Sequence, residues 1–577
     1  MRAGESRMSR SLARSRVLGA LLLAGLAGCG QEAAQPVAVN LVAINDFHGY
    51  IQGSSYRYPD PANPGKTASV KAGGIATLGG MLAELRKQDP QLLFIGAGDL
   101  VGGSPPISAM WADEPSLEAL KAMGLRFTAV GNHELDLGKA ELLRQIRGGC
   151  ESPRPDKACR FRGEYEGAGF DYLAANLVDS ASGKPLLPAY RIEEVKGVKV
   201  AFVAAILRDV ASVVRPSGLA GLEVRDEADS INALIPEIKA AGANAIVAVV
   251  HQGGSTPEPF DAPACQQLGG DIVEVAKRLD PAVDLLISAH SHQGYLCRVG
   301  RLPVTQGASY GHLLTQLTLE VTPGTHEVTR VEARNLLADP ARYAPDEKLA
   351  ALQGEIEARS AVVLARPIAR LAAPEVRREM NEAGESAMGD LIADAQLAAT
   401  RSQGAQLALM NPGGIRGDLA LEPGLETVSY SQVAGSQPFN NTLHLLTLSG
   451  TQLVALLEQQ WRGGDGFTPL QVSSSFTYQW DAGRPAGQRV LVDSLRLDGQ
   501  PVLADGRYRV VSNAFLAEGG DGFSLFREGT EHRDSGISDL DALIDYLVAR
   551  DQAGTPAGEA GGAGRIRRVD VAVSQRE

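Results

Sequence analysis

Three things are missing from this 577-residue chain: an excess of basic side chains, an apolar run long enough to span a bilayer, and a cysteine spacing that fits zinc. Setting aside residues 1–28, 50 basic side chains stand against 67 acidic ones, a net charge of −17. That balance argues against DNA or RNA as the main partner, because a polyanion is held by neutralising its phosphates. Small anions remain compatible if cations are fixed locally. The longest leading apolar run, Val17 to Leu26, is half of what a transmembrane helix needs but suits the core of a signal peptide, preceded by Arg2, Arg7, Arg10, Arg14 and Arg16.

The run ends in Leu26-Ala27-Gly28-Cys29, which resembles a bacterial lipobox. The resemblance implies a signal peptide over 1–28, a lipidated Cys29 and a short tether over 29–36. The expected product is an exported domain anchored to the cell envelope, facing the periplasm or the outside. Four cysteines remain, Cys150, Cys159, Cys265 and Cys297. An even number in an exported chain points to disulfides, and three connectivities are open. Pairing Cys150 with Cys159 closes a short loop and leaves Cys265 with Cys297.

Apolar strand-like runs alternate with amphipathic helices from Val37 to about Leu319, the pattern of an α/β layered domain. Five of the runs lead into polar clusters. The first precedes Asn45-Asp46-Phe47-His48, the second Gly98-Asp99, and the third Gly131-Asn132-His133-Glu134-Leu135-Asp136. The last two precede His251-Gln252 and His290-Ser291-His292. Ligands of open α/β sheets bind beyond the carboxyl ends of the strands, so these clusters are expected at one edge. Five of the nine histidines lie in them, beside Asp46, Asp99 and Asn132. Mixed carboxylate, imidazole and amide donors suit Mn, Zn, Co or Fe better than Ca or Mg. Two cations about 3.5–4 Å apart need a shared carboxylate, and Asp99 is the best placed to bridge.

The series Asp-x-His, Gly-Asp, Gly-Asn-His-Glu-x-Asp, His and His-x-His resembles the signature of the calcineurin-like metallophosphoesterases, with spacing similar to the bacterial 5′-nucleotidase/UDP-sugar hydrolase family. The resemblance implies a four-layer α/β/β/α domain over 37–338. It also implies one divalent metal on Asp46, His48, Asp99 and His292, and a second on Asp99, Asn132, His251 and His290. His133 would stabilise charge on the reacting phosphoryl group or the leaving oxygen, held by Asp136 three residues on.

A polar connector with a helix follows over 339–372, and a second α/β pattern over 373–566, leaving 567–577 as a tail. Glycine-rich loops flank its strands, where backbone amides can approach a phosphate and Arg416 can fork its oxygens. Asn411-x-Gly-Gly-Ile-Arg416, Pro438-Phe439 and Phe515-x-x-x-Gly-Gly-Asp521-Gly-Phe resemble the substrate domain of 5′-nucleotidases. That resemblance implies Arg416 and Asn411 at the phosphate, Phe439 and Phe515 around the base, and Asp521 at the ribose. One departure from the family pattern concerns an arginine expected shortly before Glu385. Here the stretch reads Asn381-Glu382-Ala383-Gly384, with Arg377 and Arg378 displaced upstream. The expected activity is hydrolysis of a small nucleotide by two metals. UDP-sugar, 2′,3′-cyclic-nucleotide and NAD hydrolysis are open alternatives, and a non-catalytic nucleotide-binding lipoprotein is the rival from another class.

Overall fold

The computed structural model describes residues 35–59, 66–325, 327–439, 441–462 and 466–569, so the signal peptide expected over 1–28 and the lipidation expected at Cys29 lie outside the described residues. The first strand, Val37–Ile44, runs antiparallel to Leu313–Thr322 on one side and parallel to Leu93–Gly96 on the other. With Phe127–Ala129, Asp171–Leu173 and Glu327–Leu337 these form a six-stranded sheet. A second sheet of seven strands centres on the parallel trio Val198–Ile206, Ala245–His251 and Leu285–Ser288. The near-continuous apolar sequence of these strands follows from burial of both faces.

Leu41, Ile95 and Phe127 of the first sheet meet Val200, Phe202, Val249 and Ile287 of the second, with the Phe127 and Phe202 rings 4.9 Å apart. The outer face of the first sheet packs on the helices Ile75–Gln88 and Glu114–Ala122 through Leu78, Leu82 and Leu117. The outer face of the second packs on Glu227–Ala240 and Asp271–Arg278 through Ile231, Ile235 and Ile272. The expected four layers are therefore present, each interface lined by apolar side chains. Burying a Leu, Ile or Phe side chain there stabilises by about 1.5–3 kcal/mol.

Cys150 bonds to Cys159 and Cys265 to Cys297; the latter two lie opposite one another on paired strands. The connector helix, Glu347–Leu364, is capped by Asp346, whose carboxylate accepts from the backbone of Lys348 and Leu349. It lies so close to the first helix that a Cβ on Gly79 would fall 2.2 Å from Leu349.

The second domain carries a five-stranded sheet centred on Arg507–Asn513, between Leu407–Met410 and Thr442–Ser449. Helices Ala387–Thr400 and Asp539–Gln552 pack together through Leu391, Ile392 and Leu543. Ser449 caps Gly450–Glu458 with a reciprocal capping box to Gln452. A four-stranded sheet ends on Ile566–Val569, parallel to Phe476–Asp481. The expected tail boundary at 567 thus falls inside a strand, because Ile566 is buried against the core while Arg567 and Arg568 beside it are exposed.

Candidate metal centre and substrate cavity

The polar clusters after the parallel strands converge as expected. Asp46, His48 and His292 present donor atoms within 4.8 Å of one another, and so do Asp99, His251 and His290. Asp99 stands between the groups: its Oδ2 is 3.1 Å from His251 Nε2 and 3.7 Å from His48 Nε2. Asn132 Oδ1 lies 3.1 Å from His251 Nε2 and 2.9 Å from His290 Nδ1. All seven donor residues named from the sequence are brought together, and Asp46, His48, Asp99, Asn132 and His251 are buried.

This donor set fits divalent cations. Nδ1 of His48 is 2.6 Å from the Gly102 carbonyl and Nδ1 of His251 is 2.8 Å from that of Ala97. A carbonyl only accepts, so each Nδ1 carries a proton and each Nε2 faces the other donors. Nε2 of His48 and Nε2 of His292 sit 3.1 Å apart. Burial pushes both imidazoles well below the ordinary range and His290 down to about 4, so all three are neutral donors at neutral pH. Burial also lifts Asp46 to about 7. Burial works to raise Asp99 too, but His251 and His133 outweigh it and hold its carboxyl well below the usual range.

Backbone strain concentrates at the same place. Asp46, His48, Asp99, His290 and His292 have φ of 48°, 47°, 51°, 70° and 57°. Left-handed conformations of non-glycine residues cost of order 1–3 kcal/mol each and persist where surroundings over-determine them. Two glycines make room for this packing. A Cβ on Gly131 would lie 2.2 Å from Asp99 Oδ1, and one on Gly98, with φ of 90°, would lie 2.6 Å from His251 Nδ1.

Glu134, Asn45 and Tyr310 were not singled out from the sequence. The buried Glu134 carboxylate accepts from the backbone of Asp99 at 2.9 Å, Leu100 at 2.7 Å and Gly131 at 2.7 Å, fixing two of the loops. Asn45 donates to Asp46 Oδ2 at 2.7 Å and to the Ala308 carbonyl. Tyr310 stacks on Tyr50 at 4.0 Å and lies edge-on to His292 at 5.2 Å. Glu134 stands inside a quoted motif, but two of its three target amides, those of Asp99 and Leu100, come from another loop, which no local signal reveals.

His133 lies beside the donors, with Nδ1 2.7 Å from Asp136 Oδ2 and its backbone N–H donating to Asp99 Oδ1 at 2.9 Å. Burial lowers its pKa, but Asp136 and Asp99 outweigh burial and raise it. The second domain closes the opposite side of a cavity of about 580 Å³ with Asn411, Arg416, Phe439, Phe515 and Asp521. Asn411 Nδ2 donates to Asp521 at 2.7 Å. Arg416 reaches across to within 3.5 Å of the Tyr310 hydroxyl. Phe439 stacks on His133, with centroids 5.6 Å apart and planes at 14°, so one of its faces is already covered. Arg378 donates to the Ile415 carbonyl at 3.1 Å, beside Arg416, whereas Arg377 pairs with Glu375.

Residues 39–294 match the calcineurin-like phosphoesterase family and residues 367–528 the 5′-nucleotidase C-terminal domain. The chain is 29% identical over 517 residues to endonuclease YhcR of Bacillus subtilis, covering 89% of this chain and 40% of that one. It therefore spans about two fifths of that relative's length. It is 23% identical to the 5′-nucleotidase of Vibrio cholerae, over 96% of this chain and 99% of the relative. Its fold is similar to the crystal structure of a 5′-nucleotidase precursor from Thermus thermophilus, with a TM-score of 0.73 and 25% identity, over 93% of this chain and all of the other. The paired family matches, in the same two-domain order as the fold, make the chain a member of the calcineurin-like phosphoesterases that carry a 5′-nucleotidase C-terminal domain, a family of metal-dependent phosphoester hydrolases.

Proposed function

We propose that the protein hydrolyses the phosphate ester of nucleotides outside the cytoplasm, as a 5′-nucleotidase, using two divalent metal ions. The observation that carries this reading is the joining of two donor groups through Asp99 on one wall of a cavity whose other wall bears Arg416, Asn411, Phe439, Phe515 and Asp521. Asp46, His48, Asp99 and His292 would hold one cation, and Asp99, Asn132, His251 and His290 the other. Divalent cations at such a site supply Lewis-acid polarisation of the phosphoryl group and a more acidic water.

The chain's own groups do the rest. His133 holds a proton on Nδ1 toward Asp136 and turns its other edge to the reacting centre, where it stabilises developing charge. Arg416 and Asn411 orient the phosphate. Phe515 and the open face of Phe439 hold the base, where stacking contributes about 1–3 kcal/mol per base whatever its identity. Asp521 accepts from the ribose hydroxyls. Lipidation of Cys29 would tether the enzyme to the envelope; the cell wall protein Lmo0130 of Listeria monocytogenes, 27% identical over 91% of this chain, is consistent with an exported location.

The test is hydrolysis of AMP by the purified protein before and after chelation and after reloading with Mn, Zn or Co. Release of phosphate that is lost on chelation and regained on reloading is expected. A protein that binds AMP but releases no phosphate with any of the metals would make it a binding module.

A further inference from the structure

Arg416 is the cation that the second domain extends toward the metal centre. Its neighbours there are an aromatic ring and a hydroxyl. The guanidinium carbon lies 5.6 Å from the centroid of the Phe439 ring, and Nη2 lies 3.5 Å from the Tyr310 hydroxyl. A Cβ on Gly103, in the loop that follows Asp99, would lie 3.7 Å from the same Nη2, so the guanidinium stands over that loop. The stretch Asn381 to Gly384, just before Glu385, adds no second arginine to share the work. The direction in which this one fork points therefore matters.

Tyr310 comes from the first domain and is held at a backbone cost. Its φ of 61° is a left-handed conformation that a bulky side chain seldom adopts. Its N–H donates to the Asp46 carbonyl at 2.7 Å, which ties it to a loop bearing a metal donor. Tyr50 stacks on its ring at 4.0 Å, and the rings of His292 and His48 lie edge-on at 5.2 and 5.8 Å. A phenylalanine would make all of these ring contacts, so packing accounts for the ring and leaves the hydroxyl without a reason. The hydroxyl can accept one of the five guanidinium N–H groups and leave the other four, with the full charge, for an anion. A carboxylate in its place would compete with a phosphate for the same fork.

We propose that Tyr310 is a positioning residue, whose hydroxyl holds the Arg416 guanidinium over the metal centre so that its remaining N–H groups meet the substrate phosphate. The inference rests on the phosphoester reading above and adds to it a contact made only where the two domains meet. It concerns the phosphate and not the base, so it applies to a simple aryl phosphate as well as to a nucleotide.

The experiment measures kcat/KM for AMP and p-nitrophenyl phosphate on the metal-loaded wild type, Tyr310→Phe, Arg416→Ala and the double variant. Tyr310→Phe keeps the ring and its stack, so its Tm and metal content should match wild type. Its kcat/KM should fall about tenfold on both substrates, the size expected for a hydrogen bond to a charged group. In the Arg416→Ala background the same change should cost less than about twofold, because the hydroxyl then has no guanidinium to hold. Arg416→Lys, which keeps the charge but loses the planar fork, serves as a second background and should give the same result. Equal losses with and without the arginine overturn the proposal, since the hydroxyl would then act independently of it. So does a Tyr310→Phe rate within about twofold of wild type on both substrates, or a loss confined to AMP, which would place the hydroxyl at the nucleoside. Loss of metal from Tyr310→Phe overturns it as well, by assigning the hydroxyl to the donor loops. A wild type inactive on both substrates removes the phosphoester reading itself, and the role of Tyr310 with it.

Discussion

Glu134 shows how one side chain can hold a metal centre it never touches. Its two oxygens accept three backbone N–H groups from the loops that carry Asp99 and Asn132. Glu134→Gln would leave one oxygen for those donors and turn an amide N–H toward them, at a cost of about 1–3 kcal/mol. Metal analysis of that variant is expected to show reduced occupancy, with activity lowered about tenfold or more. His133→Ala should behave differently. It removes no donor of the two groups, so metal content is expected to match wild type while kcat falls about 10²- to 10⁴-fold. Loss of metal from His133→Ala would place that residue among the ligands instead, a real alternative since His48, Asp99 and His133 also converge within 4.8 Å.

Among the elements, the helix Asp539–Gln552 carries a charge problem at its first turn. Asp539 is 2% exposed, donates its backbone N–H to the Asn441 carbonyl at 2.8 Å, and so ties the helix to the cavity wall. Burial pushes its carboxyl up to about 7, against the lowering pull of the Leu540 N–H and Asn441. The folded protein therefore keeps a proton that the unfolded chain gives up near the ordinary carboxylate range. This contribution to stability is greatest below about pH 4, falls as pH rises toward 7, and is then constant. Asp539→Asn removes the ionisable group while keeping an acceptor for Leu540. Its advantage over wild type in unfolding free energy should be absent near pH 4 and grow up to pH 8, by an amount on the order of a few kcal/mol, as read from denaturant titrations at each pH. A constant difference across that range would assign the effect to packing.

For the whole molecule, the substrate cavity exists only because two domains from distant stretches of chain face each other. The donor loops store strain at five left-handed residues, and bound cations would hold them in place. Chelation is therefore expected to lower the Tm by several degrees, with recovery on adding metal, because a ligand that binds only the folded state stabilises it by mass action. An unchanged Tm would mean that the loops hold their shape without cations. Phe515→Ala should weaken AMP hydrolysis about tenfold or more while leaving p-nitrophenyl phosphate near wild type. Equal losses on both would remove the base contact. Phe439→Ala is expected to affect both substrates, because its ring also lies on His133.

The sequence by itself determined the layered α/β class, the donor residues and their gathering at one sheet edge. Strands buried on both faces announce themselves as unbroken apolar runs, and polar residues at their carboxyl ends have only one place to go. Tertiary structure alone decided what depends on distant chain segments meeting: the reach of Glu134 to another loop and the stacking of Phe439 on His133 across domains. Neither of these has a period or a spacing, because the partners approach through packing rather than through their separation along the chain.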